Sequence, residues 1–357
     1  MIKSNKRIVI VRSMTKGLSS MSQVSCDAVL AVLARHFTTV GISTINDLSD
    51  LEALVARDPD LVFLGMEFVP ENSALGMTDP NKIWLSDFLD KHEIAYTGSS
   101  RSAHELARYK PLAKQYVLDA GLRTSAYCVV KHNQSFARHD IPLAFPLFVK
   151  PTNRGGGLGI DSKSVVYNFE QLCSKVDEIT TKFQTDALIE GYLPGREFSV
   201  AILKKNEDSN EFLAMPIELI APSDSHGVRI LSGKVKSSNS EMILQVTDEI
   251  IKSKVTKLAL DAFYALGARD YGRIDIRLDA AGVPHFLEAN LMPSLISGYG
   301  SFPKACIENI GLEYEPMILK IVRLGLARNI NDSENTLESV TMNHLAFSSA
   351  EAVLESI

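Results

Sequence analysis

Two periods of hydrophobic residues run along the chain, and the period decides each predicted element. Lys6 to Arg12 (KRIVIVR) is a β-branched run flanked by charges, the pattern of a strand buried on both faces. In Cys26 to Phe37 the apolar residues Ala28, Val29, Val32 and Leu33 follow a helical period. Leu61 to Met66 (LVFLGM) predicts a second buried strand, Ile83 to Leu89 a helix, and Ile94 to Tyr96 a short strand before the Thr97-Gly98-Ser99 turn. Strands alternating with helices imply a mainly parallel sheet with helices on both faces, so residues 1–107 are expected to form a first α/β domain.

Beyond residue 107 the pattern changes. A helix is expected from Ser102 to Ala120, and Phe148 to Lys150 enters a strand that breaks at Pro151 into a glycine-rich loop. Ser162 to Tyr167 and Ala187 to Glu190 read as strands, with a helix near Phe169 to Thr180. Glu197 to Leu203 alternates, with Phe198, Val200 and Ile202 on one face and Glu197, Ser199 and Ala201 on the other. Ile251, Val255, Leu258, Ala259, Ala262, Phe263 and Leu266 mark an amphipathic helix closed by Gly267. Arg273 to Asp279 and His285 to Ala289 predict a hairpin about Ala280, Ala281 and Gly282. Residues 331–357 look like a polar appendage with one weak amphipathic helix.

Composition narrows the classes. A length of 357 residues suits two or three domains, and 45% hydrophobic with 22% charged residues excludes a disordered chain. A net charge of −6 argues against a protein built to grip nucleic acid, although local basic clusters survive an acidic total. Apolar runs such as Ile8 to Val11 fall far below the roughly 20 residues that span a bilayer. With no apolar leader, a cytoplasmic location is expected. Cys26, Cys128, Cys173 and Cys306 lack metal spacing and read as reduced buried thiols.

Chemistry enters at the hairpin. In Tyr271 to Leu278 (YGRIDIRL), Arg273, Asp275 and Arg277 share one face, and Phe286, Glu288 and Asn290 are expected to share a face of the return strand. A short turn would set Asp275 opposite or diagonal to Glu288. Two carboxylates and an amide oxygen match the hard ligands of Mg2+, which also keeps water and phosphate oxygens. On alternation alone the same charges describe only a wet hairpin face. The loop Lys150-Pro151-Thr152-Asn153-Arg154-Gly155-Gly156-Gly157-Leu158-Gly159 could wrap phosphates with backbone N–H groups while Lys150 neutralises charge. It is neither a P-loop nor a Rossmann fingerprint, and by itself it describes a surface turn equally well. Lys110 and Lys234 could add charge to the same site. The linker Glu190-Gly191-Tyr192-Leu193-Pro194-Gly195-Arg196-Glu197 could read an adenine edge and a ribose.

The order of these segments carries a family resemblance. A helix lysine, then Lys-Pro and a glycine flap, then Glu-x-x-Leu-x-Gly-x-Glu-Phe, then Gly-Arg-Ile-Asp and Leu-Glu-Ala-Asn-x-x-Pro resembles the ATP-grasp enzymes, most closely the D-alanine–D-alanine ligases, over residues 6–325. The resemblance implies an ATP-grasp fold of α/β and α+β parts. A Rossmann-like parallel-sheet domain (1–107) would precede a central lobe with the flap (108–195) and a C-terminal lobe with the metal site (196–330). It assigns ATP phosphates to Lys110, Lys150, Gly155, Gly156 and Gly157, adenine to Glu190, Gly191, Tyr192 and Leu193, and ribose to Glu197. Mg2+, or Mn2+, would be held by Asp275, Glu288 and Asn290, with Lys234 a further phosphate partner. Arg273 would stabilise the transferred phosphoryl and the tetrahedral intermediate, and Ser294 would supply an oxyanion-hole amide where the family has glycine. The implied activity joins a small-molecule carboxylate to an amine through an acyl phosphate, in a homodimer.

Three departures concern the substrate. The family's Glu-Ser-Tyr set, which orients the first D-alanine, falls here near Met21, at Gly156 and near Val235, and its His-Gly-x-x-Gly-Glu-Asp-Gly segment is replaced around Gly65 to Glu71. A pocket built on polar contacts discriminates through them, so a different substrate is expected. The competing readings are a true D-alanine–D-alanine ligase with a rearranged pocket, a kinase that stops at the acyl phosphate, and a non-catalytic ATP-binding protein.

Overall fold

The first apolar run becomes β1 (Ser4–Arg12), in which Ile8, Ile10 and Val11 are covered. In this computed structural model residues 2–15, 17–76, 79–224 and 227–328 are described, and the expected appendage at 331–357 lies outside them. Helix α1 (Gln23–His36) is capped by the Ser22 side chain, which accepts from the Ser25 amide. It passes directly into β2 (Phe37–Thr44), a strand that the pattern did not predict. After α2 (Leu48–Val55), β3 (Leu61–Leu64) pairs with the other side of β1, giving a parallel sheet of order β2-β1-β3. The expected strand at Ile94–Tyr96 reduces to one parallel bridge between Tyr96 and Val62. The stretch expected as a helix from Ile83 divides, because β4 (Phe68–Pro70) and β5 (Lys82–Trp84) form an antiparallel pair before α3 (Leu85–Lys91) begins.

The helix expected from Ser102 to Ala120 is two helices, α4 (Arg101–Arg108) and α5 (Lys110–Asp119), parted by an extended Tyr109 at φ −98° and ψ 95°. Pro111 explains the break. Inside a continuous helix its ring would meet the carbonyl of residue 107, whereas in a first turn it is tolerated. The break places Lys110 at the start of α5, with its amide bonded to the Thr152 carbonyl at 3.0 Å.

A second sheet of order β6-β9-β7-β8 is antiparallel. It contains β6 (Tyr127–Val130), β7 (Leu147–Pro151) and β8 (Val165–Val166), the last a two-residue remnant of the strand expected at Ser162–Tyr167. Helix α6 (Phe169–Phe183) backs it, and β9 (Ala187–Gly191) completes it.

The third sheet comprises β10 (Glu197–Lys204), β11 (Phe212–Ile220), β12 (Met242–Gln245), β13 (Tyr271–Leu278) and β14 (Pro284–Asn290), in the order β12-β11-β10-β13-β14. Between β11 and β12 lies the short α7 (Gly233–Ser238), and α8 (Glu249–Ala265) follows β12. Phe198, Val200 and Ile202 pack with Val255 and Phe263 of α8, as the alternation predicts. On the opposite face Ala201 and Leu203 join a core that includes α9 (Ser301–Ile310), α10 (Tyr314–Leu326) and the first sheet's Ile8, Ile10 and Phe63. Among the described residues no helix is long and apolar enough to cross a membrane.

Candidate active site

The β13–β14 hairpin is the floor of the site. Asp275 is paired directly with Glu288, and Arg273 with Asn290. Between Asp275 and Ile276 the register shifts, so that Leu287 is an extra residue and Ile276 faces Phe286. This bulge corrects the expected grouping. Phe286 turns into the core with Ile276 and Ala289, while Glu288 belongs to the cleft wall. Arg273 grips Asp275 with two bonds of 2.9 Å and reaches Ser301 Oγ at 3.2 Å. Ser199 Oγ donates to Asp275 at 3.0 Å, and Asn290 Nδ2 donates to Asp275 at 3.3 Å and to Glu288 at 3.5 Å.

Among the described residues no group of three or more His, Cys, Asp or Glu side chains is arranged to hold a metal. The hairpin instead offers two facing carboxylates and, beside them, the Asn290 side chain, whose Nδ2 donates to both and whose oxygen is the atom a cation would take. That donor set suits a hard cation that completes its shell with water and phosphate oxygens.

Opposite the hairpin stands a buried ionic chain. The Glu190 carboxylate, 2% exposed, receives Lys114 Nζ at 2.5 Å and Lys150 Nζ at 2.7 Å. Lys114 also donates to Thr124 Oγ1 at 2.6 Å, and Thr124 donates to the Phe286 carbonyl at 2.7 Å, tying the chain to the hairpin. Lys110 Nζ donates to the Arg154 carbonyl at 2.6 Å and lies 3.5 Å from Glu288. Burial alone would raise the Glu288 carboxyl. Lys110, Lys150, Lys236 and Arg273 outweigh it and hold that carboxyl well below the usual range. At Glu190 burial is likewise overcome by Lys114 and Lys150, whereas burial depresses the Lys110 ammonium despite nearby Glu288.

Between hairpin and ionic chain lies a cleft of about 650 Å³, counting its open mouth, lined by Lys150, Glu190, Glu197, Lys236, Asp275 and Glu288 among others. Gly191, Tyr192 and Leu193 line its far end. The Gly191 and Tyr192 amides already bond Ala126 and Pro146, so of these three backbone N–H groups only that of Leu193 has no bond among the described residues. The Glu190 side chain, expected against adenine, is engaged by the two lysines instead. Burial raises the Glu197 carboxyl, opposed chiefly by Arg277 at 2.9 Å.

Lys234 is exposed and outside the cleft lining, where Lys236 stands instead. Both sit on α7, and two residues of a helix are separated by about 200°, so only one can face inward. Gly155, Gly156 and Gly157 are not in the lining, although Ile160 of the same loop is. A Cβ on Gly157, at φ +77°, would come within 2.6 Å of the Gly233 amide nitrogen, so the flap rests on the start of α7. Ser294 is half-buried in the turn after β14 and likewise lies outside the lining.

The positions to which the resemblance assigns substrate contacts differ from these. Met21 is 4% exposed and packs in the core against Gly65. Nothing lies within 4 Å of a Cβ on Gly156, and the Val235 amide bonds Ser232 as part of the α7 cap. Pattern reading missed Lys114, Lys236 and the task of Arg277. Lys114 had a signal, since it lies one helical turn after Lys110 and therefore on the same face.

The profile described as "D-ala D-ala ligase C-terminus" matches residues 117–323, more than half of the chain. The chain belongs to the D-alanine–D-alanine ligase family. A D-alanine–D-alanine ligase of Hydrogenovibrio crunogenus is 30% identical over 239 residues, covering 67% of this chain and 72% of that protein. An uncharacterized protein of Sinorhizobium fredii is also 30% identical, over 276 residues, with coverage of 75% and 78%. In fold, the chain resembles the Bacillus anthracis D-alanine–D-alanine ligase complexed with ATP, with a TM-score of 0.71 at 20% identity and coverage of 93% and 100%. It is also similar to the VanG D-Ala:D-Ser ligase of Enterococcus faecalis, with a TM-score of 0.66 at 20% identity and coverage of 90% and 99%. The fold is ATP-grasp, and the enzyme is in class an ATP-dependent carboxylate–amine ligase.

Proposed function

We propose that this ligase joins an amino acid, or an amino-acid-derived carboxylate, to an amine through an acyl phosphate, and that its substrates are not two D-alanines. The observation that carries the reading is a contrast within one sequence. The charged set Lys110, Lys150, Arg273, Asp275, Glu288 and Asn290 is present, while Met21, Gly156 and Val235 stand where the family resemblance expects the residues that orient D-alanine.

In this reading Lys110, Lys150 and Lys236 neutralise the nucleotide phosphates, with Lys236 replacing Lys234 in that role. Glu190 holds Lys150 and Lys114 in place rather than touching the base. The Leu193 amide meets adenine, and Glu197 accepts from the ribose. Asp275, Glu288 and Asn290 would hold Mg2+, which supplies charge neutralisation between phosphate oxygens. Arg273 faces the point where the substrate carboxylate approaches the γ-phosphate, and two anions can meet there only against such positive charge. The carboxylate oxygen forms a bond to the γ-phosphorus as the bond to ADP breaks. The amine then adds to the acyl carbon, the Ser294 amide and Arg273 stabilise the oxyanion, and the bond to phosphate breaks as the departing phosphate takes the proton that the nitrogen gives up. The flap over α7 excludes water, which would otherwise hydrolyse the acyl phosphate. Lobes divided near residue 195, a homodimer formed through the first domain and a cytoplasmic location belong to the same reading.

Phosphate release with ATP, Mg2+ and a matrix of amino acids of both hands, dipeptides and amines, followed by mass analysis of products, tests it. A single amide product from a pair other than two D-alanines is expected. D-Alanine alone giving its dipeptide as fast as the best pair would overturn the substrate reading.

A further inference from the structure

Arg277 shares the cleft face of β13 with Arg273 and Asp275, yet the phosphoryl chemistry above gives it no task. It is 8% exposed, lines the cleft, and carries its guanidinium 5.4 Å from the centre of the Tyr192 ring. Its donors are divided among several partners. Nε reaches the Gly195 carbonyl at 3.2 Å, Nη1 the Glu197 carboxylate at 2.9 Å, and Nη2 the Arg229 carbonyl at 3.0 Å and the Tyr192 hydroxyl at 3.4 Å.

These partners lie on three segments: the linker after β9, the first residue of β10, and the loop ahead of α7. A planar fork of fixed geometry can hold all three at once, which a single ammonium cannot do. The third segment matters beyond its own contact. Directly after Arg229 come Ile230 and Leu231, which line the cleft, then Ser232, whose side chain caps α7, and then Lys236. The flap's Gly157 rests on the same Ser232–Gly233 step. The end of the cleft given to the sugar and the end given to the phosphates therefore meet at one side chain.

We propose that Arg277 is a positioning residue for the nucleotide: it fixes the Glu197 carboxylate so that it accepts from the ribose hydroxyls, and through Arg229 it anchors the segment that brings Lys236 to the phosphates. The proposal rests on the nucleotide reading of the cleft and deepens it. Without Arg277, Glu197 is a half-buried carboxylate stripped of its nearest cation and has no fixed direction.

The test compares Mg-ATP with Mg-2′,3′-dideoxy-ATP by calorimetry, using the full chain and the variants Arg277→Met, Arg277→Lys, Glu197→Gln and Arg277→Met/Glu197→Gln. The wild type should prefer ATP by at least about tenfold, the worth of hydrogen bonds to a charged group. That preference should shrink to within about twofold in Arg277→Met and in Glu197→Gln, with no further change in the double variant. Amide exchange across residues 229–236 should quicken in Arg277→Met and not in Glu197→Gln. A folded Arg277→Met protein that keeps the wild-type sugar preference overturns the proposal, as do losses that multiply in the double variant. If Arg277→Met does not fold, Arg277→Lys decides, because full retention of the preference there is equally fatal. Wild type that binds both nucleotides equally overturns this inference and leaves the nucleotide reading standing, whereas wild type that binds neither overturns both.

Discussion

At the hairpin and the ionic chain facing it, the site is held by ions that depend on one another. Lys114, Glu190 and Lys150 form an unbroken buried chain, Lys110 lies beside Glu288, and Arg273 grips Asp275. The positions where the resemblance looks for substrate contacts hold single side chains with separate duties. Met21 fills core, Gly156 faces open space, and Val235 belongs to a helix cap. Removing one member of the first set leaves another charge buried without its partner, which costs several kcal/mol. A change in the second set leaves no such debt elsewhere. Within one enzyme, then, the ion-paired set tolerates single changes far less than the unpaired positions do.

The comparison breaks most directly at the hairpin. Asp275→Asn or Glu288→Gln should lower turnover by about 10³-fold or more with the fold intact, measured as ADP formation beside thermal unfolding. Unchanged turnover in both would remove the metal assignment. Next comes Lys114→Met, which leaves Glu190 with a single cation. Denaturant unfolding should show a loss of about 3–5 kcal/mol, and a loss under 1 kcal/mol would mean that the chain is not interdependent. Lys236→Ala should cut kcat by about 100-fold while Lys234→Ala stays within about twofold, and the reverse order would return the phosphate role to Lys234. The smallest effect is expected at the flap. Gly157→Ala places a Cβ against Gly233 at a positive φ, and kcat should fall about tenfold from imperfect closure.

Much of this was legible in the sequence because some signals are local. The strand at Lys6–Arg12 follows from its β-branched run and the face of Phe198, Val200 and Ile202 from a period of two, whereas the direct opposition of Asp275 and Glu288 depends on the bulge at Leu287. Other features depend on what covers a residue. β2 begins directly where α1 ends, without a turn signal, and the Phe37–Thr44 pattern makes sense only beside β1. Lys114 reads as one more surface lysine until Glu190 is seen against it, and Arg277 as one more wet-face charge until its partners are in view. Lys234 and Lys236 differ only in which side of a short helix they occupy, a phase that the sequence of α7 leaves undetermined. The split at Tyr109 was present in Pro111 and was overridden by the hydrophobic period around it.

The bulge at Leu287 has a consequence for how this site can change over time. A regular strand presents only every second residue to a given side, but the extra residue lets Leu287 and its immediate neighbour Glu288 both line the same cleft. An apolar wall and an acid are thus encoded by adjacent codons. Point substitutions can retune either one alone. Gain or loss of a single codon there would shift both together and take Glu288 out of register with Asp275.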